Sequence, residues 1–153
     1  MNEVLFRVAT SADVNAIAAC RLTDPTAGPA DPRMAAYFGG LHHPQQALLP
    51  RTGFVALDNE SVIGYIAGHL TTRYECEGEL QYLFVAPPYR QQGIAASLVR
   101  LLANWLVQQG SLKVCVNVNL DSPAAAPFYL SLGAVPLNKH WYVWKDISTV
   151  LKR

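Results

Sequence analysis

Cysteine is scarce in this chain. Cys20, Cys76 and Cys115 stand far apart, with no C-x-x-C pair and no zinc-ligand spacing. That excludes a disulfide framework and leaves reduced, buried thiols as the expectation. Charge is equally sparse, at 15 % of residues with a net of +1. There is thus no basic field to hold nucleic acid and no polybasic segment for anionic lipid. No apolar run approaches the length that crosses a bilayer. The first residues, Met1 to Arg7, lack the basic-then-apolar order of a secretory signal. The expectation is a soluble, cytoplasmic protein with no nucleic-acid or membrane partner. Two common phosphate-binding patterns, G-x-x-x-x-G-K-[ST] and G-x-G-x-x-G, are also missing. The His42-His43 pair has no Asp, Glu, His or Cys at a supporting spacing, so no metal is expected.

What the chain does have is apolar residues, 51 % of 153, enough to bury the core of one domain over 1–153. Val4 to Ala9 reads as a strand, and Thr10 as the cap of a helix from Ala12 to about Leu22. Residues 23–32 hold three prolines and a glycine and read as a loop; a second helix is expected over about Pro32 to Leu41. Phe54 to Asp58 and Val62 to Thr71 flank Asn59-Glu60-Ser61 as a hairpin, and Gly78 to Val85 is the next strand. Ile94 to Gln109 is the clearest helix, with Ile94, Leu98, Leu101, Leu102 and Trp105 at helical spacing and Gly110 as its stop. Val114 to Val118 is a short strand. Pro123 to Leu132 is a helix containing an awkward Pro127, and the aromatic run at Trp141 to Trp144 closes the chain in strands. This order implies an α/β (α+β) fold built on a mixed sheet, because the middle meanders and the end crosses over.

Residues 79–95 concentrate the chemistry. A buried strand runs into Pro87-Pro88, and Arg90-x-x-Gly93-x-Ala95 then opens the long helix. Amides at a helix start lack intrahelical partners and carry the positive end of the dipole, which suits a phosphate. Gly93 permits close approach of the backbone to a ligand. Taken alone, R-x-x-G-x-A is a weak pattern, and a helix start with a packing glycine would match it equally well.

In its context the stretch resembles the fourth strand and cofactor loop of the GNAT superfamily of acyl-CoA-dependent N-acetyltransferases. A second block, Val118 to Ala134 with Tyr129 and Leu132-Gly133, is similar to that family's fifth strand and following helix. Arg7-Val8-Ala9-Thr10-x-x-Asp13 is similar to a usual family opening, and the order of elements agrees over nearly the whole chain. The resemblance implies a largely antiparallel central sheet of six or seven strands flanked by about four helices. It also implies acetyl-CoA as co-substrate, an amine as acceptor, and dimerisation as a common habit. The amides of Gln91, Gln92, Gly93, Ile94 and Ala95 would hold the pyrophosphate, with Arg90 beside it. Leu83, Phe84 and Val85 would line the pantetheine arm, and the amide of Val85 or a neighbour would polarise the thioester carbonyl.

By the same resemblance Tyr129 is the candidate general acid: a phenol near ~10 can donate to a thiolate whose acid lies near ~8.5. A core tyrosine is its plain alternative. Glu79 is the candidate base that takes a proton from an ammonium of pKa about 10.4, and a solvated strand-end carboxylate is its alternative. Asn119 could bond the arm, the acceptor or local backbone. Ser122 stands where relatives often carry Asn and reaches less far. Gln91 and Gln92 make the loop less cationic than is usual in the family. The expected function is acetyl transfer from acetyl-CoA to a primary amine by direct attack in a ternary complex. The alternative is a non-catalytic acyl-CoA-binding sensor or regulatory module.

Overall fold

The computed structural model describes residues 3–27 and 32–152. Strand β1 (Val4–Val8) ends where Thr10 begins a capping box: its hydroxyl accepts from the Ala12 N–H, and the Asp13 carboxylate accepts from the Thr10 N–H at 2.8 Å. A 3₁₀ turn at Ser11–Asp13 leads into helix α1 (Val14–Arg21). Part of the expected loop over 23–32 lies outside the described residues. Helix α2 spans Pro32–Phe38, shorter than expected, and Gly39-Gly40 follow it as a turn.

The hairpin is longer than expected on its first arm, with β2 at Ala47–Asp58 and β3 at Ser61–Thr71. Then come β4 (Gly78–Val85), α3 (Ile94–Gln108) and β5 (Val114–Asn117). Helix α4 (Ala125–Ser131) starts two residues after Pro123. Pro127 is thereby the third helical residue. Its missing N–H falls in the first turn, where no intrahelical acceptor exists, so the helix is unbroken. Gly133, at φ 94°, closes it: the Ala134 N–H bonds the Tyr129 carbonyl. Strands β6 (Val135–Pro136) and β7 (Trp141–Trp144) complete a seven-stranded sheet in the order β1-β2-β3-β4-β5-β7-β6. All pairings are antiparallel except β4 with β5.

Period-two alternation puts two cores on the two faces of the sheet. Ile66, Leu80, Val85, Val114, Val116 and Trp144 pack under α3 and α4; Val55, Tyr65 and Phe84 pack under α1 and α2. Helix α3 lies close to the strands because Gly68 faces it. A Cβ there would stand 3.0 Å from both methyls of Leu102 and 2.6 Å from the Glu79 carbonyl oxygen. Among the described residues no helix is long and apolar enough to cross a membrane.

Candidate functional site

The β4–β5 pairing stops early. Gly78, Glu79 and Leu80 pair with Val114, Cys115 and Val116, and there it ends. Strand β4 runs on to Val85, but β5 ends at Asn117 and is drawn toward Trp141 of β7. On the β3 side, Ala67 faces Tyr82 while Gly68 faces Leu80, so Gln81 is an extra residue. Such a bulge bends and twists the strand that carries it. The outer edge of β4 beyond Leu80 is therefore left without a strand partner.

Backbone alternation decides which groups line that edge. The Ala86 N–H donates to the Ile63 carbonyl of the β3 side at 2.8 Å. Val85 and Leu83 then turn their N–H and C=O groups away from β3, and Phe84 turns its own toward it. Of the three candidates on this strand, Leu83 and Val85 keep backbone groups on the open edge. Phe84 contributes a buried ring, stacked on Tyr65 at 5.7 Å.

The edge leads straight to the start of α3. Gln91 (φ 62°) and Gly93 (φ 83°) take left-handed conformations, and the first helical bond runs from the Ser97 N–H to the Gly93 carbonyl. The amides ahead of Ser97 are thus helix-start donors without helical acceptors. An ideal Cβ on Gly93 would meet nothing within 4 Å, so the space above this turn is open. Gln91 and Gln92 are exposed, Ala95 is half-buried and Ile94 is buried in the core. The Gln92 amide bonds the Pro88 carbonyl. An exposed amide-lined turn beside an open strand edge fits a pyrophosphate joined to an extended amide-bearing arm.

Arg90 does not point freely into this space. Its Nε donates to the Val85 carbonyl at 2.8 Å and its guanidinium pairs with Asp24 Oδ2 at 2.7 Å, packed over the Phe84 ring. The Thr26 hydroxyl and the Arg90 guanidinium hold the Asp24 carboxyl down, at about 2. Asn119 Oδ1 accepts from the Asp121 N–H at 3.0 Å, an Asx turn on an exposed residue, which is its local alternative. Ser122 is half-buried behind it and donates its N–H to the Asn119 carbonyl.

Tyr129 lies on the inner face of α4, edge-on to Trp144 at 5.8 Å. It is 7 % exposed, and its hydroxyl makes no hydrogen bond with a described residue. Burial pushes its acidity well below that of an ordinary phenol, so it holds its proton. The thiols are no better as nucleophiles: burial pushes Cys20 up to about 11 and raises Cys76 and Cys115 as well.

Glu79 is buried, at 3 % exposure, and is not a solvated strand end. It lies on the sheet face opposite Tyr129, next to Cys115, its partner in the parallel pairing. Two groups flank its Oε1: Arg73 Nε at 3.1 Å and His69 Nε2 at 3.6 Å. His69 faces Glu79 across β3–β4, and its Nδ1 bonds the Tyr37 hydroxyl at 2.8 Å. Burial keeps that phenol protonated. Tyr37, His69 and Arg73 are the residues that sequence reasoning missed. Nothing local marks them; only the strand register and the docking of α2 bring them to Glu79. The His42-His43 segment forms no metal cluster. His43 bonds Arg51, and no group of three or more potential ligands occurs among the described residues.

Comparison with known proteins bears on the family and the fold. The model of the acetyltransferase (GNAT) family matches residues 18–134. N-alpha-acetyltransferase 30 of Schizosaccharomyces pombe is 32 % identical over 88 residues, covering 55 % of this chain and 57 % of that protein. The match thus spans little more than half of that curated relative. Among solved structures, PaiA N-acetyltransferase from Thermoplasma acidophilum, bound to coenzyme A, superposes with a TM-score of 0.72 at 16 % identity, over 94 % of this chain and 99 % of that one. Diaminobutyrate acetyltransferase EctA from Paenibacillus lautus, bound to coenzyme A and L-2,4-diaminobutyric acid, gives 0.71 at 14 % identity over 96 % and 97 %. These likenesses establish the fold; the family match places this chain in the GNAT acetyltransferase family.

Proposed function

We propose that the chain is an N-acetyltransferase that moves an acetyl group from acetyl-CoA to a primary amine by direct attack. The observation that carries this reading is the β4 edge at Leu83 and Val85, met there by the Arg90 side chain rather than by a strand, which leads into the open turn at Gly93. Acetyl-CoA supplies an activated thioester. The amides of Gln91 to Ala95 hold its pyrophosphate, and Leu83 and Val85 pair with its amide-bearing arm. An N–H of Val85, or of Leu83 beside it, lies on the edge where charge develops on the carbonyl oxygen. Arg90 reaches the phosphates after exchanging Asp24 for them.

Glu79 accepts the proton that an ammonium must lose before it can attack. Tyr129, on the other face, gives a proton to the departing thiolate. No cysteine is on the route, in keeping with three thiols that burial keeps protonated.

Calorimetric titration with acetyl-CoA tests the cofactor half of this reading; no measurable heat would refute it. A panel of amines scored by CoA release tests the rest. It should include α-amines, after the name of one relative, and L-2,4-diaminobutyric acid, the substrate of another. Glu79→Gln and Tyr129→Phe should each lower kcat by about 10²-fold or more. Binding without turnover of any amine would favour the sensor module.

A further inference from the structure

The buried Glu79 carboxylate needs a cation, and in this structure the chain supplies its own. Arg73 reaches Glu79 Oε1 with Nε alone, at 3.1 Å, a single contact rather than a fork. Its guanidinium lies over the Trp141 ring, 4.7 Å from the centroid, and a terminal nitrogen donates to the Gln45 carbonyl at 2.7 Å. Tyr74 meets Trp141 edge-on at 5.5 Å. A carboxylate, an aromatic face and a backbone carbonyl together are the recognition chemistry of an organic cation. The other groups facing Glu79 stand farther off or carry no charge: His69 Nε2 lies at 3.6 Å without a hydrogen bond, and the Cys76 and Cys115 thiols keep their protons.

Arg73 is also the more exposed member of the pair. Its side chain is one-fifth exposed while that of Glu79 is almost wholly covered, so the arginine stands on the approach to the carboxylate. The residues that follow it, Tyr74 (φ 53°) and Glu75 (φ 61°), are two successive non-glycine residues in the left-handed region. Such conformations are costly and cluster in segments that move or bind.

We propose that Glu79, the Trp141 face and the Gln45 carbonyl form a cation subsite for the acceptor, and that Arg73 occupies it until an alkylammonium takes its place. This rests on the reading of Glu79 as the group that meets the acceptor amine. The exchange is one cation for one cation, so the carboxylate never stands unpaired in a buried site. The acceptors selected are amines that arrive protonated. Arg73 sets their apparent affinity, because each must displace it.

Methylguanidinium and n-butylammonium chlorides, titrated into the protein and followed by tryptophan fluorescence, test this with no acceptor known. In Arg73→Ala, both probes should bind at least tenfold more tightly than in the wild type. Adding Glu79→Gln to that variant should abolish the gain. Equal binding in wild type and variant, or a gain that survives Glu79→Gln, overturns the proposal. Should Arg73→Ala fold poorly, Arg73→Gln keeps a polar side chain there without the charge and must show the same gain. In turnover of the best panel amine, Arg73→Gln should lower KM for the amine several-fold and leave KM for acetyl-CoA unchanged. The base reading fails separately, if Glu79→Gln alone retains full kcat.

Discussion

Glu79 shows how little a side chain's identity says before its neighbours are known. Its carboxylate is buried between Arg73 and His69, and Tyr37 holds the histidine from behind. A fixed, buried carboxylate already met by an arginine is open to another cation only in exchange for it. Tyr37→Phe removes one buried bond to His69 and should cost about 1 kcal/mol of stability, read as a shift in urea midpoint. Tyr129 is the complementary case, a buried phenol whose surroundings hold its proton. A protonated donor is available across the neutral range. Loss of activity in Tyr129→Phe should therefore be uniform between about pH 6 and 9; a loss confined to the alkaline end would point to a different acid.

At the scale of elements, the start of α3 and the start of α1 make separate predictions. Gly93 caps α3 in a left-handed conformation with open space beside it. Gly93→Ala forces a Cβ both into that conformation and into the open space that the proposed function gives to the phosphates. It should weaken acetyl-CoA binding by about tenfold or more, with a stability loss near 1 kcal/mol, measured by calorimetry and by denaturation. The α1 start carries a pH signature. Hydrogen bonds from Arg7 and from the Thr10 N–H hold the Asp13 carboxyl at about 2, below its usual 3.8. A group depressed on folding adds stability that is complete above its unfolded value and lost as pH falls through its folded one. Asp13→Asn should thus be less stable than wild type at pH 5, and the gap should close as pH falls from about 4 toward 2. Urea midpoints across that range measure it. Part of the gap is screened, because Arg7 is half exposed.

At the scale of the molecule, the one parallel pairing, β4 with β5, organises everything else. It needs α3 as its crossover, and α3 can lie close enough only because β3 and β4 present glycines. Gly68→Ala would press a Cβ against the Glu79 carbonyl and Leu102. A loss of about 1–3 kcal/mol is expected, with impaired turnover from displacement of Glu79, measured by denaturation and CoA release.

Much of this was legible in the sequence. The α3 periodicity, the stops at Gly110 and Gly133 and the Pro-Pro turn after β4 are local signals, and local signals survive in a string of letters. The start of β2 was not legible, because Pro50 and Gly53 interrupt its alternation; pairing with β3 extends it regardless. For the same reason the Arg90-x-x-Gly93-x-Ala95 loop could be read from the chain, since a helix start is built from consecutive residues. Its tether to Asp24 could not, because the partner lies 66 residues away. The sequence by itself determined most of the elements, their order and the glycine turn that opens α3. Only the tertiary structure decided that Gln81 bulges, that β4 parts from β5 after Leu80, and that Arg73 and His69 meet at Glu79. Those depend on strand register and helix docking, which are properties of contacts between distant segments and leave no mark on either segment alone.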